Sequence, residues 1–412
     1  MKKTLVMLTV FALLVSMTVL CGFAEAPVEV ELWTLFTGPD GVTMSSIVDK
    51  YNTSQGKYKV NHIAIDRENL YTKLALAMTT PDDLPDFFVT YSYDSARFDK
   101  LGYIKPMEEI LEKYEEFDFA IDKYHDACAN LNYANGKRMS VSLDFPTWGM
   151  YVNNTLAEKY CPNVLEDKIL TWDEIKTVGA KLQADGIEDI KVLGGGWARN
   201  DLLATYINFA PTYVADDGET LALDKDAVEK MIDLWKECYD AGYLWEEGDD
   251  VYAMFACDEL IFFTNGTWSL NAIDEYGLDY SFIASPQLNA DVEPVLFGAS
   301  HAFMVVNKET SDDEAKAMAS FMHYFYENSI EWARAGSIVA SKITAMSDEY
   351  QAMPQAFVSN NYSISNPNYV YSQTLFDVLD GLGWDGVYGN ISSADFADTW
   401  EKQTIEKVSA QQ

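Results

Sequence analysis

From Val28 to Trp33 apolar and acidic residues alternate, Val-Glu-Val-Glu-Leu-Trp, the period of two that buries one face of a strand. The run ends in Thr37-Gly38-Pro39-Asp40-Gly41, a cluster of turn formers. Met44, Ile47, Val48 and Tyr51 then fall on one helical stripe, and a second strand is predicted from Tyr58 to Ile65. A helix carrying Leu70, Leu74, Ala77 and Met78, a breaker segment from Pro81 to Pro85 and the apolar strand Phe87-Phe88-Val89 continue the alternation.

Thr171-Trp172-Asp173-Glu174 predicts a capping box, in which hydroxyl and carboxylate each satisfy a free N–H at a helix start. Ile175, Val178, Gly179 and Leu182 follow on one face, and Gly186 suits the stop. A strand at Ile190 to Leu193 runs into Gly194-Gly195-Gly196-Trp197. A long helix from Asp224 carries Val228, Met231, Trp235 and Cys238 and stops at Gly242. Ser311-Asp312-Asp313-Glu314 is a second capping box, followed by a stripe of Ala315, Met318, Ala319, Met322, Phe325 and Tyr326. Gly381 to Asn390, rich in Gly and Asn, is expected as an ordered loop. Strands alternating with helices over this length predict an α/β protein with mostly parallel sheets and without short repeats.

A chain of 412 residues with 48% hydrophobic positions exceeds one usual core, so two domains are expected. Residues 1–24 have the order of a secretory leader: Lys2 and Lys3, an apolar run from Leu5 to Leu20, then Gly22-Phe23-Ala24. Cleavage there starts the mature chain at Glu25, in the periplasm or outside the cell. Cys21 raises a lipid anchor, which Leu20 before it disfavours because lipobox signals carry a small residue there. Cys128, Cys161, Cys238 and Cys257 lack CxxC spacing and read as buried free thiols, with a pairing such as Cys238 to Cys257 left open. The formal charge is −36, and loss of Lys2 and Lys3 takes it to −38, which repels nucleic acid and anionic lipid. Solubility of an exported protein explains such a charge, and attraction of a cationic ligand is the competing reading.

His62, His125, His301 and His323 form no HExxH motif or close pair, Gly298-Ala299-Ser300-His301-Ala302 lacks the final Gly of a nucleophile elbow, and no Walker sequence is present. No metal or cofactor is expected. Asp144 beside Trp148 is the first candidate for a glycosidase acid, since sugar sites set acids next to aromatic rings. Aromatic residues recur where strands end or turns begin: Trp33 and Phe36, Tyr91 and Tyr93, Trp148, Trp197 and Trp268. Ligands of open α/β sheets lie beyond such strand ends. A sugar offers apolar C–H faces for rings to stack on and a hydroxyl rim for carboxylates and amides. Core packing competes with this role at each aromatic, and Trp172 and Trp235, on helices, read as core or surface. At His301 a structural role in the Gly298–Ala302 loop competes with ligand contact, at Arg334 pairing with Glu331 does, and at Asp40, Asp144 and Asp94 turn formation does.

Several segments together resemble the sugar-binding proteins of ABC importers, the extracellular solute-binding family that includes the maltodextrin binders. Leu32-Trp33-Thr34 with Thr37 to Gly41 is similar to the family's first strand and ligand loop, and Leu84-Pro85-Asp86-Phe87-Phe88 to its Ala-Pro-Asp-Val strand entry. Asn135-Gly136-Lys137-Arg138 through Asp144-Phe145-Pro146-Thr147-Trp148-Gly149-Met150-Tyr151-Val152-Asn153 resembles the family crossover, with Asn154 where a Lys is usual. Asn265-Gly266-Thr267-Trp268, Gly298 to Phe303, and Asn328 to Gly336 before Ala340-Ser341-Lys342 resemble its later motifs in order. The resemblance implies a two-lobed periplasmic-binding-protein fold of type II, each lobe a sheet flanked by helices. It assigns 25–143 plus 288–340 to lobe one and 144–287 plus 341–412 to lobe two, with a hinge crossed more than once. It implies Trp33, Asp40, Tyr91, Asp144, Trp148, Trp197, Trp268, His301 and Arg334 at the cleft, without fixing which sugar is bound. The leading expectation is a carbohydrate ligand held without catalysis and handed to membrane permease subunits, with a monomer as the default state. A receptor for a polyamine or peptide, or a secreted glycosidase, are the alternatives.

Overall fold

The computed structural model describes residues 26–411 apart from 81–82, 112, 115, 135, 292 and 368. The expected leader, its cleavage site and Cys21 lie outside the described residues. Thirteen strands are present among the described residues: β1 (Val28–Thr34), β2 (Tyr58–Ala64), β3 (Phe87–Tyr91), β4 (Tyr133–Ala134), β5 (Lys137–Arg138), β6 (Val141–Ser142), β7 (Trp148–Asn153), β8 (Lys191–Gly195), β9 (Leu260–Gly266), β10 (Tyr280–Ile283), β11 (Val295–Phe297), β12 (His301–Val305) and β13 (Ser363–Ser365).

Two sheets organise the chain into two lobes, one ordered β2-β1-β3-β12-β6 and the other β10-β7-β9-β8. The expectation of mostly parallel sheets is corrected. β1 runs parallel to β2 and β3, but β12 is antiparallel to β3 and β6. In the second sheet only the β8–β9 pair is parallel. The cause is that β12 returns from the other lobe instead of arriving through a local strand–helix–strand crossover.

The alternation of β1 decides where its side chains go. Val30 and Leu32 enter the core beneath the helices Pro39–Ser54 and Asp312–Glu327, while Trp33 points through the opposite face to Leu70, Leu74 and Phe88. In β9 every residue is buried, as a strand covered on both faces requires. Helix Lys225–Asp240 buries Ala227, Val228, Met231, Ile232, Trp235 and Cys238, and the Asp224 side chain accepts from the Ala227 N–H at its start. Both capping boxes form, Thr171 with Glu174 and Ser311 with Glu314. Trp172 and Trp235 are core residues whose rings meet edge-on at 4.8 Å.

Three further expectations change. Pro39, Asp40 and Gly41 open the first helix rather than closing a turn, since Pro suits the first helical position. Gly381 to Asn390 is partly helical: Ser372–Leu382 ends at Gly383, and Asp385–Tyr388 makes another turn. Cys128, Cys161 and Cys238 are buried free thiols, but Cys257, also free, is exposed at the end of helix Val251–Ala256.

Three segments join the lobes. Residues 143–147 connect β6 to β7, β11 leads into β12 through Gly298, and β13 returns beside β11 in a two-stranded parallel ribbon. Among the described residues no helix is long and apolar enough to cross a membrane.

Candidate binding cleft

The joining segments leave a cavity of about 280 Å³ between the ends of the two large sheets. That volume lies just below the ~300–1,000 Å³ usual for small-molecule sites.

The second lobe supplies three tryptophans. Trp148 begins β7 and is buried, and Trp268, just past β9, lies over it at 5.7 Å with its rings tilted by 43° and its outer face open to the cleft. Gly266 permits this arrangement, because a Cβ there would come within 2.2 Å of the Trp268 ring. The Trp148 indole N–H donates to Asp201 Oδ1 at 2.8 Å. Asp201 is buried, and its pKa is pushed up to about 7 by that burial, against hydrogen bonds from Thr264, Trp148, Trp197 and Gly196. Trp197 closes the Gly-rich turn after β8 with 43% of its surface exposed. Its indole N–H donates to Asp380 Oδ1 at 3.1 Å, and the Arg199 guanidinium stacks 4.2 Å from its ring centroid. Arg199 Nη1 reaches Asp380 Oδ2 at 2.8 Å, so one carboxylate on helix Ser372–Leu382 orients both side chains. Burial raises the pKa of Asp380, while Arg199 draws it down.

The first lobe supplies Asp40, Tyr91 and His301. Tyr91 and Tyr93 stack at 5.0 Å with planes 7° apart, and the His301 ring lies 5.0 Å from Tyr91. Tyr93 also meets Phe376 of the second lobe edge-on and donates to Gln373 Oε1 at 3.3 Å. Asp40 is raised in pKa by burial, less by Asp144, with His301 acting oppositely. His301 Nδ1 lies 3.0 Å from both oxygens of Asp144. Burial opposes protonation of His301, but the charge and hydrogen bond of Asp144, with Asp40 beyond, place its pKa above the ordinary histidine value.

Of the expected positions, Asp40, Tyr91, Trp148, Trp197, Trp268 and His301 line the cleft. Trp33, Asp144 and Arg334 do not. Trp33 is held in the core beside helix Arg67–Ala77, with Lys73 Nζ 4.1 Å from its ring. Asp144 is fully buried behind His301. Arg334 stands on the surface, where Glu331 at 3.1 Å and Glu349 at 2.6 Å hold it. The sequence reading passed over Arg199, Asn200 and Phe376, which also line the cavity. Arg199 and Asn200 had a signal, being the first polar side chains after the Gly-rich end of a strand; Phe376 had none. Among the described residues no cluster of three His, Cys, Asp or Glu side chains could hold a metal.

No curated protein matches the chain. Solved structures of the same fold include the sugar-binding protein MalE from Xanthomonas citri, 14% identical with a TM-score of 0.78, covering 93% of this chain and 98% of that one. The GacH receptor of Streptomyces glaucescens is 14% identical with a TM-score of 0.74, covering 92% and 98%. The cyclic alpha-maltosyl-1,6-maltose binding protein from Arthrobacter globiformis is 19% identical with a TM-score of 0.72, covering 92% and 98%. At these identities the likeness is one of fold. The family model described as bacterial extracellular solute-binding protein matches residues 46–360, well over half of the sequence, and the chain belongs to that family.

Proposed function

We propose that this protein is the carbohydrate-binding component of an ABC importer, taking up a mono- or oligosaccharide by closure of its lobes and passing it unchanged to membrane permease subunits. The observation that carries this reading is the wall of the cleft. Two open aromatic faces, Trp197 and Trp268 of one lobe, with the edge of the packed Tyr91–Tyr93 pair in the lining from the other, surround a few polar groups: Asp40, Arg199, Asn200 and His301. Flat rings match the C–H faces of a pyranose, and the polar groups match its hydroxyl rim. Solved structures of the same fold bind maltotriose, maltotetraose or cyclic alpha-maltosyl-1,6-maltose, which supports the same class.

Two observations weigh against the alternatives. The basic side chains lining the cleft, Arg199 and His301, each have a carboxylate behind them, which suits a neutral ligand better than a polyamine despite the acidic surface. Glycoside hydrolysis works through two carboxylates flanking the bond. Asp40 is the single carboxylate in the lining among the described residues, and this supports binding without turnover.

The lobe division proposed here follows the expected 25–143 with 288–340 against 144–287 with 341–412 in outline, with its two later boundaries moved. It is supported by β12 in the first sheet and by Phe376, Phe396 and Trp400 in the second core. Leu296 and Phe297 pack with the second core and Tyr350 and Ala356 with the first, which supports later crossings near 298 and past 356.

A thermal-shift screen of the mature protein against neutral glycans, polyamines and peptides tests the reading, since a ligand of the folded state raises its melting point. A neutral glycan that stabilises the protein and is recovered intact supports it. Stabilisation by cations alone, or a cleaved glycan, overturns it.

A further inference from the structure

Asp144 sits in the first joining segment, between β6 and β7, with no exposed surface. A buried carboxylate needs several donors, and here they come from the start of β12 and from residues 332–337 of the first lobe. The His301 backbone N–H donates to Oδ1 at 3.0 Å, and the His301 ring lies against both oxygens. The Trp332 indole donates to Oδ2 at 2.7 Å, and the Ser337 hydroxyl reaches the same oxygen at 3.5 Å. The main chain around it is knitted the same way: Leu143 N–H donates to His301 O, Phe145 N–H to Ile338 O, and Ala340 N–H to Leu143 O. The neighbouring Pro146 carbonyl accepts from Ala299 of the second joining segment. Asp144 does not itself line the cavity, but it and its neighbours tie the first joining segment to the second, and through His301 and Ser337 it is attached to the cleft wall.

We infer that Asp144 is the positioning residue of the hinge, locking the His301 ring and the first two joining segments into one unit, so that ligand contact at His301 biases the lobes toward closure. The inference rests on the carbohydrate reading for its ligand. Nδ1 of His301 is committed to Asp144, which leaves Nε2 as the ring nitrogen free for a sugar hydroxyl. The ionisable groups facing that ring are Asp144 from the joining segment, Asp40 from helix Pro39–Ser54 and Tyr91 from β3. When the ring loses its proton, Nε2 changes from donor to acceptor, so the pH profile of ligand affinity carries the His301 titration.

The test compares the wild type with Asp144→Asn, which keeps the shape and one acceptor oxygen but removes the charge. Measured are affinity for the glycan found in the screen between pH 5 and 8, the ring titration of His301 by NMR, and the radius of gyration with and without glycan. The expected result is a cooperatively folded variant that binds at least about 10-fold more weakly, contracts less on binding, and titrates His301 at lower pH. Affinity within about 2-fold of wild type, with an unchanged His301 titration, overturns the proposal. If Asp144→Asn does not fold, Trp332→Phe removes one donor to the carboxylate without touching the cleft wall. A loss of about 3-fold or more with a shifted pH profile then supports the coupling, and wild-type behaviour overturns it. If the wild type binds no neutral glycan, the carbohydrate reading fails on its own. The ligand-free readouts still decide the hinge role: a lowered His301 titration and an altered radius in Asp144→Asn support it, and identity with wild type on both overturns it.

Discussion

Trp197→Ala is the most informative single perturbation of the cleft. With 43% of Trp197 exposed and about 250 Å² for the whole side chain, ~100 Å² faces solvent in the cleft region. A pyranose face covering about half of that removes ~50 Å² from water, worth about 1.3 kcal/mol at ~25 cal/mol/Å². The ring's own preference for a flat partner adds roughly 0.5–1.5 kcal/mol. Together these give about 2 to 3 kcal/mol, a loss of roughly 30- to 150-fold in Kd. Folding changes little, because the residue is half-exposed, Arg199 keeps its ion pair with Asp380, and the one hydrogen bond lost to Asp380 is worth about 1 kcal/mol. Calorimetric titration with the glycan at fixed salt measures the change, and Trp197→Phe, which keeps a flat ring, should recover most of it. A folded Trp197→Ala protein that binds within about 3-fold of wild type refutes the stacking argument.

Other outcomes follow from the same geometry. Asp201, with its folded pKa near 7 against about 3.9 when unfolded, binds more protons in the folded state between those values. Its contribution to stability is therefore lost as pH rises from about 4 to about 7. Melting temperatures of wild type relative to Asp201→Asn should fall across that window; a constant difference contradicts the assignment. Lys100 pairs with Glu219 at 2.9 Å and Arg67 lies 4.0 Å from Asp377, both between lobes. Such exposed pairs are worth about 0–1 kcal/mol, so Lys100→Ala should weaken binding by no more than about 5-fold in a fluorescence titration. Affinity for a neutral glycan should change less than about 2-fold when the salt is raised tenfold, whereas a cationic ligand would lose affinity steeply by screening.

Much of the cleft lining was legible because strand ends and turn formers mark where an open sheet presents ligands: Tyr91, Trp197 and Trp268 close or follow strands, and Trp148 opens β7 beside the end of antiparallel β9. The reading failed where side-chain direction mattered. Trp33 lies near the end of β1, yet the two-residue period turns it to the far face, under Leu70 and Leu74. Leu32 and Trp33 are both apolar, so the pattern alone could not say which face meets the cleft. Arg334 was offered a nearer partner than any ligand by Glu331 one turn earlier and by Glu349, a neighbour set by folding. Asp144 needed knowledge that Trp332 and Ser337, almost 200 residues on, converge upon it. Helices were secure where caps wrote them into the chain, at Thr171 and Ser311, but strand direction was not, because antiparallel β12 depends on a return through the other lobe.

The central claim is that the cleft takes a neutral glycan between its aromatic walls. The tryptophans there make the most direct measurement: intrinsic fluorescence of the protein titrated with mono- and oligosaccharides. The account predicts a saturable spectral change with one site per chain, diminished in Trp197→Ala and Trp268→Ala. A spectrum unmoved by every neutral glycan but shifted by a cationic solute would contradict it.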